Sequence, residues 1–212
     1  LALFFCHNQE MLVLASASPR RKELLTQAGY EFQIIPANIP ELRGDNEDPA
    51  TFVTRLAREK AQCVFDRIHS SAIEDPMVLG ADTIVVTPEE VLGKPRDTGD
   101  AARMLRSLSG RTHLVITGVC LITNEATEIA AETTSVAMQT LSEEEIAAYI
   151  ATGEPMDKAG AYAIQGHAAR WIPRIQGCYF NVVGLPLALV ASMMEGLRSR
   201  RQSEMEPQAA LR

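Results

Sequence analysis

Short apolar runs suited to buried strands alternate along this chain with segments whose apolar residues recur at helical spacing, and that alternation restricts the fold more than any other feature. LVLA (12–15) leads through SASPRR into KELLTQAG, a helix with Ser18 at its N-cap, Pro19 in its first position and Gly29 as its stop. FQIIPANI is a short strand that runs into a turn-rich loop, ELRGDNEDP. Asp48 then caps a helix opened by Pro49, whose apolar stripe is Phe52, Val53, Leu56, Ala57, Val64, Phe65 and Ile68. PMVLGADTIVV reads as a buried strand, DTGDAARMLRSLSG as a helix ending at Gly110, and THLVITGVCLIT and EIAAETTSVAMQT as hairpin-like strands. SEEEIAAYIATGEP carries a capping box (Ser142, Glu145), a staple (Leu141, Ile146) and a stop at Gly153. Consecutive βα units followed by paired strands predict an α/β fold with a mixed, twisted sheet and flanking helices.

Composition limits what such a fold can bind. A chain of 212 residues with 46% hydrophobic content can bury a sizeable core, and we expect a single domain over residues 11–197. A formal net charge of −7, with no dense Lys/Arg run, argues against a nucleic-acid polymer or an anionic membrane as the partner. Four cysteines at wide intervals, without a CxxC pair, suggest neither a zinc site nor a disulfide framework and fit a reducing cytoplasm. LALFFCHNQE lacks the basic start and cleavage site of a signal peptide, which makes Met11 a candidate start. The polar, patternless end from about Arg198 is expected to fray, as is the stretch 1–10.

The informative residues are charges that sit where folding alone would not put them. Arg20 and Arg21 occupy the first turn of a helix, where unpaired amides already make a positive end and a carboxylate is preferred. Either they are solvated, or amides and guanidinium groups converge on phosphate oxygens. Lys60 lies on the core-facing stripe of its helix and either snorkels to solvent or meets a partner. Asp82 interrupts a nearly continuous apolar strand, as a bend at a strand end or as a cleft carboxylate that binds metal or takes a proton from water. Lys94, in the turn VLGKPRD, is an ordinary exposed lysine or one aimed at a ligand. GEPMDKAGAYAIQG (153–166) is a glycine-rich loop, or a segment whose glycines admit a ligand and whose Gln can read a base edge.

Taken together, SASPRRKELL, AREKA, GADTIVV, GKPRD, LSGRTHLVITGV, GEPMDKAGAYAIQG and NVVGLPL resemble the Maf family of nucleoside triphosphate pyrophosphatases, in order from about Leu12 to Leu189. The resemblance implies an α/β fold with two lobes around a central cleft, similar to inosine triphosphatases. It also implies a divalent cation, Mg2+ or Mn2+, and hydrolysis of a nucleoside triphosphate to monophosphate and pyrophosphate. It makes Asp82 the proton acceptor, places the phosphates near Ser18, Arg20, Arg21, Lys60, Lys94 and Lys158, and assigns Glu41 and Asp82 to the metal. Arg20, Thr83 and Gln165 match members acting on dTTP and UTP, with Gln165 facing the pyrimidine. NIPEL departs from members that carry further acids before the residue matching Glu41. A homodimer is compatible with the resemblance. The competing expectations are a pyrophosphatase for inosine or xanthosine triphosphate and a nucleotide-binding regulator of septum formation.

Overall fold

A computed structural model of the chain describes residues 11–68, 73 and 75–209. The expected flexible stretch 1–10 and the last residues of the chain lie outside the described residues. Seven strands form one mixed sheet, six of them in the order β2-β1-β3-β5-β6-β7. They are β1 (Met11–Leu14), β2 (Phe32–Ile34), β3 (Pro76–Val86), β5 (Thr112–Ile122), β6 (Thr127–Ala137) and β7 (Arg174–Gln176), with β4 (Val91–Leu92) paired to the far end of β3. β1 runs parallel to β2 and β3; every other pairing is antiparallel. The short strands β4 and β7 went unforeseen because two or three residues carry no readable period, and FQIIPANI supplies only three strand residues.

Side-chain alternation explains how both faces are covered. Leu12, Leu14, Met77 and Leu79 pack with helices α1 (Pro19–Gln27) and α6 (Leu187–Ala209), while Val13 and Val78 pack against α2 (Pro49–Ile68) on the other side. A separate cluster gathers Val85, Val115 and Val136 from the opposite ends of the long strands with α3 (Thr98–Leu108), α4 (Glu143–Ala151) and Trp171. These clusters are the two lobes, and the strands β3 and β5 are common to both. The short helix α5 (Tyr179–Val183) returns the chain to the cleft.

Local signals set the helix ends as expected, with one exception. Asp48 Oδ2 accepts from the amides of Ala50 and Thr51, and Ser142 and Glu145 form the complete capping box. Ser18 stands at the N-cap of α1, yet its hydroxyl makes no capping bond; Ser16 Oγ instead accepts from the Ser18 amide at 3.2 Å. Part of the end expected to fray, from about Arg198, lies on helix α6. Helix α6 continues to Ala209, and Arg201 anchors it through Asp75 Oδ2 (2.8 Å) and Glu125 Oε2 (2.7 Å). Long-range ion pairs of this kind leave no periodic trace in the sequence.

Two glycines fix how closely α2 lies on the sheet. A methyl group at Gly80 would sit 2.1 Å from the Ala57 carbonyl oxygen, and one at Gly118 would sit 2.3 Å from that of Val53. Helix backbone therefore rests directly on strand backbone. Asp82 follows Gly80 by two residues, on the same face of β3, and Lys60 follows Ala57 by three, on the same side of α2. Close packing brings the misplaced lysine to the misplaced aspartate.

Candidate active site

All ten residues expected at the site line one cleft, about 580 Å³ in volume, between the two lobes. At its floor Lys60, only 7% exposed, reaches Asp82 Oδ1 at 2.5 Å and Glu41 Oε1 at 2.6 Å. One ammonium thus joins a strand carboxylate to one from the acidic loop. Burial of Glu41 raises its pKa, but the hydrogen bond and charge of Lys60 outweigh this and hold the carboxyl below its ordinary range.

The adjacent arginines have different surroundings. Arg21 is buried and its guanidinium is engaged on several sides. Nε donates to the Gly184 carbonyl (2.8 Å), Nη1 to the Ala81 carbonyl (2.9 Å) and Ser16 Oγ (3.1 Å), and Nη2 to Thr83 Oγ1 (3.0 Å). Burial lowers its pKa despite the nearby Asp82. Thr83 Oγ1 also lies 2.9 Å from Thr117 Oγ1, so this expected specificity residue belongs to the Arg21 network. Arg20 instead crosses the cleft: Nη1 meets Asp157 Oδ2 at 2.8 Å and Nη2 meets the Asp157 carbonyl at 3.3 Å.

The opposing wall is built from the segment after α4. Lys158 Nζ donates to the Glu154 carbonyl (2.7 Å) and to Asp157 Oδ1 (2.5 Å). Asp157 therefore lies between a cation from each lobe, and those hydrogen bonds overcome the desolvation that raises its pKa, leaving it below the ordinary value. Gly160 donates its amide to the Gly93 carbonyl (3.0 Å), tying this segment to the turn that carries the exposed Lys94. Gly160 has φ +69°, and a side chain there would also strike Val85. Gln165, exposed, and Ser18, half-buried, also line the cleft.

Sequence reasoning did not assign roles to Ser16, Asp157, Tyr149, Glu154 or Gly184. Asp157 was visible as half of an Asp-Lys pair; the other four are ordinary residues until the fold places them. Chemically, the cleft offers a row of cations, two carboxylates at its floor and an uncharged rim at Gln165, an arrangement suited to a polyphosphate ester.

Comparison with known proteins identifies the family. The family model described as Maf-like protein matches residues 11–197. The dTTP/UTP pyrophosphatase of Koribacter versatilis is 54% identical over 183 residues, covering 86% of this chain and 92% of the relative. That of Vibrio cholerae is 51% identical over 176 residues (83% and 92%), and that of Geobacter sulfurreducens 54% identical over 181 (84% and 92%). With the match extending over nearly all of both lobes, the chain belongs to the Maf-like protein family.

Proposed function

We propose that this cleft hydrolyses nucleoside triphosphates, dTTP and UTP foremost, to the monophosphate and pyrophosphate. The observation that carries the reading is the Glu41–Lys60–Asp82 cluster beneath the cations Arg20, Lys94 and Lys158 in one cleft. Relatives at 51–54% identity that bear the name dTTP/UTP pyrophosphatase support the substrate class.

In this reading Arg20, Lys94 and Lys158 bind the phosphate oxygens and stabilise the charge that develops on the leaving pyrophosphate. Asp82 accepts the proton of the water that attacks the α-phosphorus. Lys60 holds Asp82 and Glu41 in place and adds positive charge at the floor. Arg21 works mainly through the backbone: it fixes Ala81, Gly184 and Thr83 around the site. Gln165 pairs its amide with the pyrimidine edge.

A divalent cation fits this donor set in one way. Among the described residues no three Asp, Glu, His or Cys side chains form a protein-only cage. Magnesium and manganese are commonly held by one or two carboxylates together with substrate phosphates, and Glu41 and Asp82 supply such a pair. When bound, the ion would neutralise phosphate charge and polarise the scissile bond.

No helix among the described residues is long and apolar enough to cross a membrane. Free thiols at Cys63, Cys120 and Cys178 support a reducing, cytoplasmic setting. The test is a turnover panel with Mg2+ or Mn2+ over dTTP, UTP, CTP, ATP, GTP, ITP and 7-methyl-GTP, with both products quantified. Preference for dTTP and UTP is expected; cleavage of ITP or 7-methyl-GTP alone would overturn the base assignment, and no turnover would overturn the enzyme reading.

A further inference from the structure

Gln165 stands on a tight turn, because the Gly166 amide donates to the Ala163 carbonyl at 3.1 Å and leaves Ile164 and Gln165 as its central residues. Neither α-helix nor strand supports this turn. Its two ends are held instead by a pair of side chains, Tyr149 near the end of α4 and Glu154 in the 3-10 turn that follows it. Tyr149 Oη accepts from the Ala163 amide at 3.1 Å. The same hydroxyl donates to Glu154 Oε1 at 2.7 Å, and Glu154 Oε2 accepts from the His167 amide (3.2 Å) and lies 2.8 Å from His167 Nδ1.

The pair is itself well fixed. Tyr149 is 2% exposed and packs edge-on against Trp171, with ring centroids 5.2 Å apart. Gly166 crosses so near the carboxylate that a methyl group there would come 2.1 Å from Glu154 Oε1. The phosphate side is reached differently: Lys158 uses the backbone carbonyl of Glu154, not its carboxylate. Changing the Glu154 side chain therefore loosens the turn while leaving the lysine's anchor in the main chain.

We infer that Tyr149 and Glu154 are positioning residues for base selection, a hydrogen-bonded brace that holds the turn displaying Gln165 at a set depth in the cleft. The inference rests on the pyrimidine triphosphatase reading above. Two buried or half-buried acceptors fix two backbone amides, so the cost of ordering the turn is met before a nucleotide arrives.

The experiment compares Glu154→Gln and Tyr149→Phe with the unaltered protein, measuring kcat and KM for dTTP, UTP, CTP and ATP, inhibition by inorganic tripolyphosphate, and Tm. Tyr149→Phe keeps the ring packing and removes only the hydroxyl; Glu154→Gln keeps an acceptor for Tyr149 but places an NH2 donor where the His167 backbone N–H needs an acceptor. Expected is a rise of about tenfold in KM for dTTP and UTP, with a narrowed preference over CTP and ATP and little change in kcat. Inhibition by tripolyphosphate, which has no base, is expected to stay unchanged. Parallel losses for nucleotide and tripolyphosphate, or an unchanged base preference in both variants, would overturn the brace while leaving the enzyme reading intact. If the unaltered protein turned over no nucleotide, the enzyme reading would fall and the brace with it.

Discussion

The two walls of the cleft reach rigidity by different means. The first, from β1, α1, α2 and β3, is regular structure: parallel strands, a helix seated on Gly80 and Gly118, and the buried Arg21 guanidinium joining Ser16, Ala81, Thr83 and Gly184. The second, residues 153–167, consists of short 3-10 turns held by Tyr149, Glu154 and Asp157. A wall made of sheet and helix keeps its geometry without ligand; a wall made of turns depends on a few side chains. On the reading proposed above, the contrast puts the proton acceptor Asp82 on the first wall and the base-reading turn on the second, with phosphate-binding cations drawn from both.

Asp82→Asn would sharpen this division most. With the proposed general base removed from the rigid wall, kcat for dTTP should fall about 1000-fold while nucleotide still binds; a retained kcat would move the chemistry elsewhere. Next in size is the pair of adjacent arginines. Arg21→Ala should cost about 4 kcal/mol of stability, because it leaves the Ala81 and Gly184 carbonyls without their donor, visible in chemical denaturation. Arg20→Ala removes a partly exposed ion pair and should change stability by less than about 1 kcal/mol, yet weaken triphosphate turnover severely. Equal stability losses in the two variants would break the distinction between buried brace and cleft clamp.

Acid should reach the second wall through His113, which is 2% exposed and lies 2.8 Å from the hydroxyl of Tyr162, the residue preceding the Gln165 turn. Burial lowers the His113 pKa from 6.5 to about 4. The unfolded chain therefore takes up a proton that the folded chain refuses, so stability falls as pH drops from 6.5 toward 4, by about 3 kcal/mol at most. Denaturation at several pH values should show this slope, and His113→Gln should flatten it.

The smallest effect belongs to the acidic loop that carries Glu41. Glu47 binds Arg55 on α2 at 2.7 Å and also accepts from the Gly44 amide, and these hydrogen bonds lower its pKa from 4.5 to about 2. Its anchoring contribution is complete above pH 4.5 and is lost as pH falls through about 2. Carboxyl chemical shifts of Glu47 should report that titration, returning toward 4.5 in Arg55→Ala.

What the sequence by itself determined is what depends on neighbours within about a helical turn. Asp48 and Pro49 start α2, Ser142 and Glu145 start α4, and the apolar stripe marks Lys60 as a charge on a core-facing row; each is a matter of spacing. The motifs shared with a known family add the residues expected at the site, including Gln165, whose exposed turn has no local signature. Tertiary structure alone decided the rest. Lys60 meets Asp82 across 22 residues because two glycines admit α2 to the sheet, and Arg21 meets Gly184 across 163 while Arg20, one residue earlier, meets Asp157 across 137. Neighbouring side chains on a helix point about 100° apart, so which arginine enters the core and which crosses the cleft depends on what the fold brings to each side.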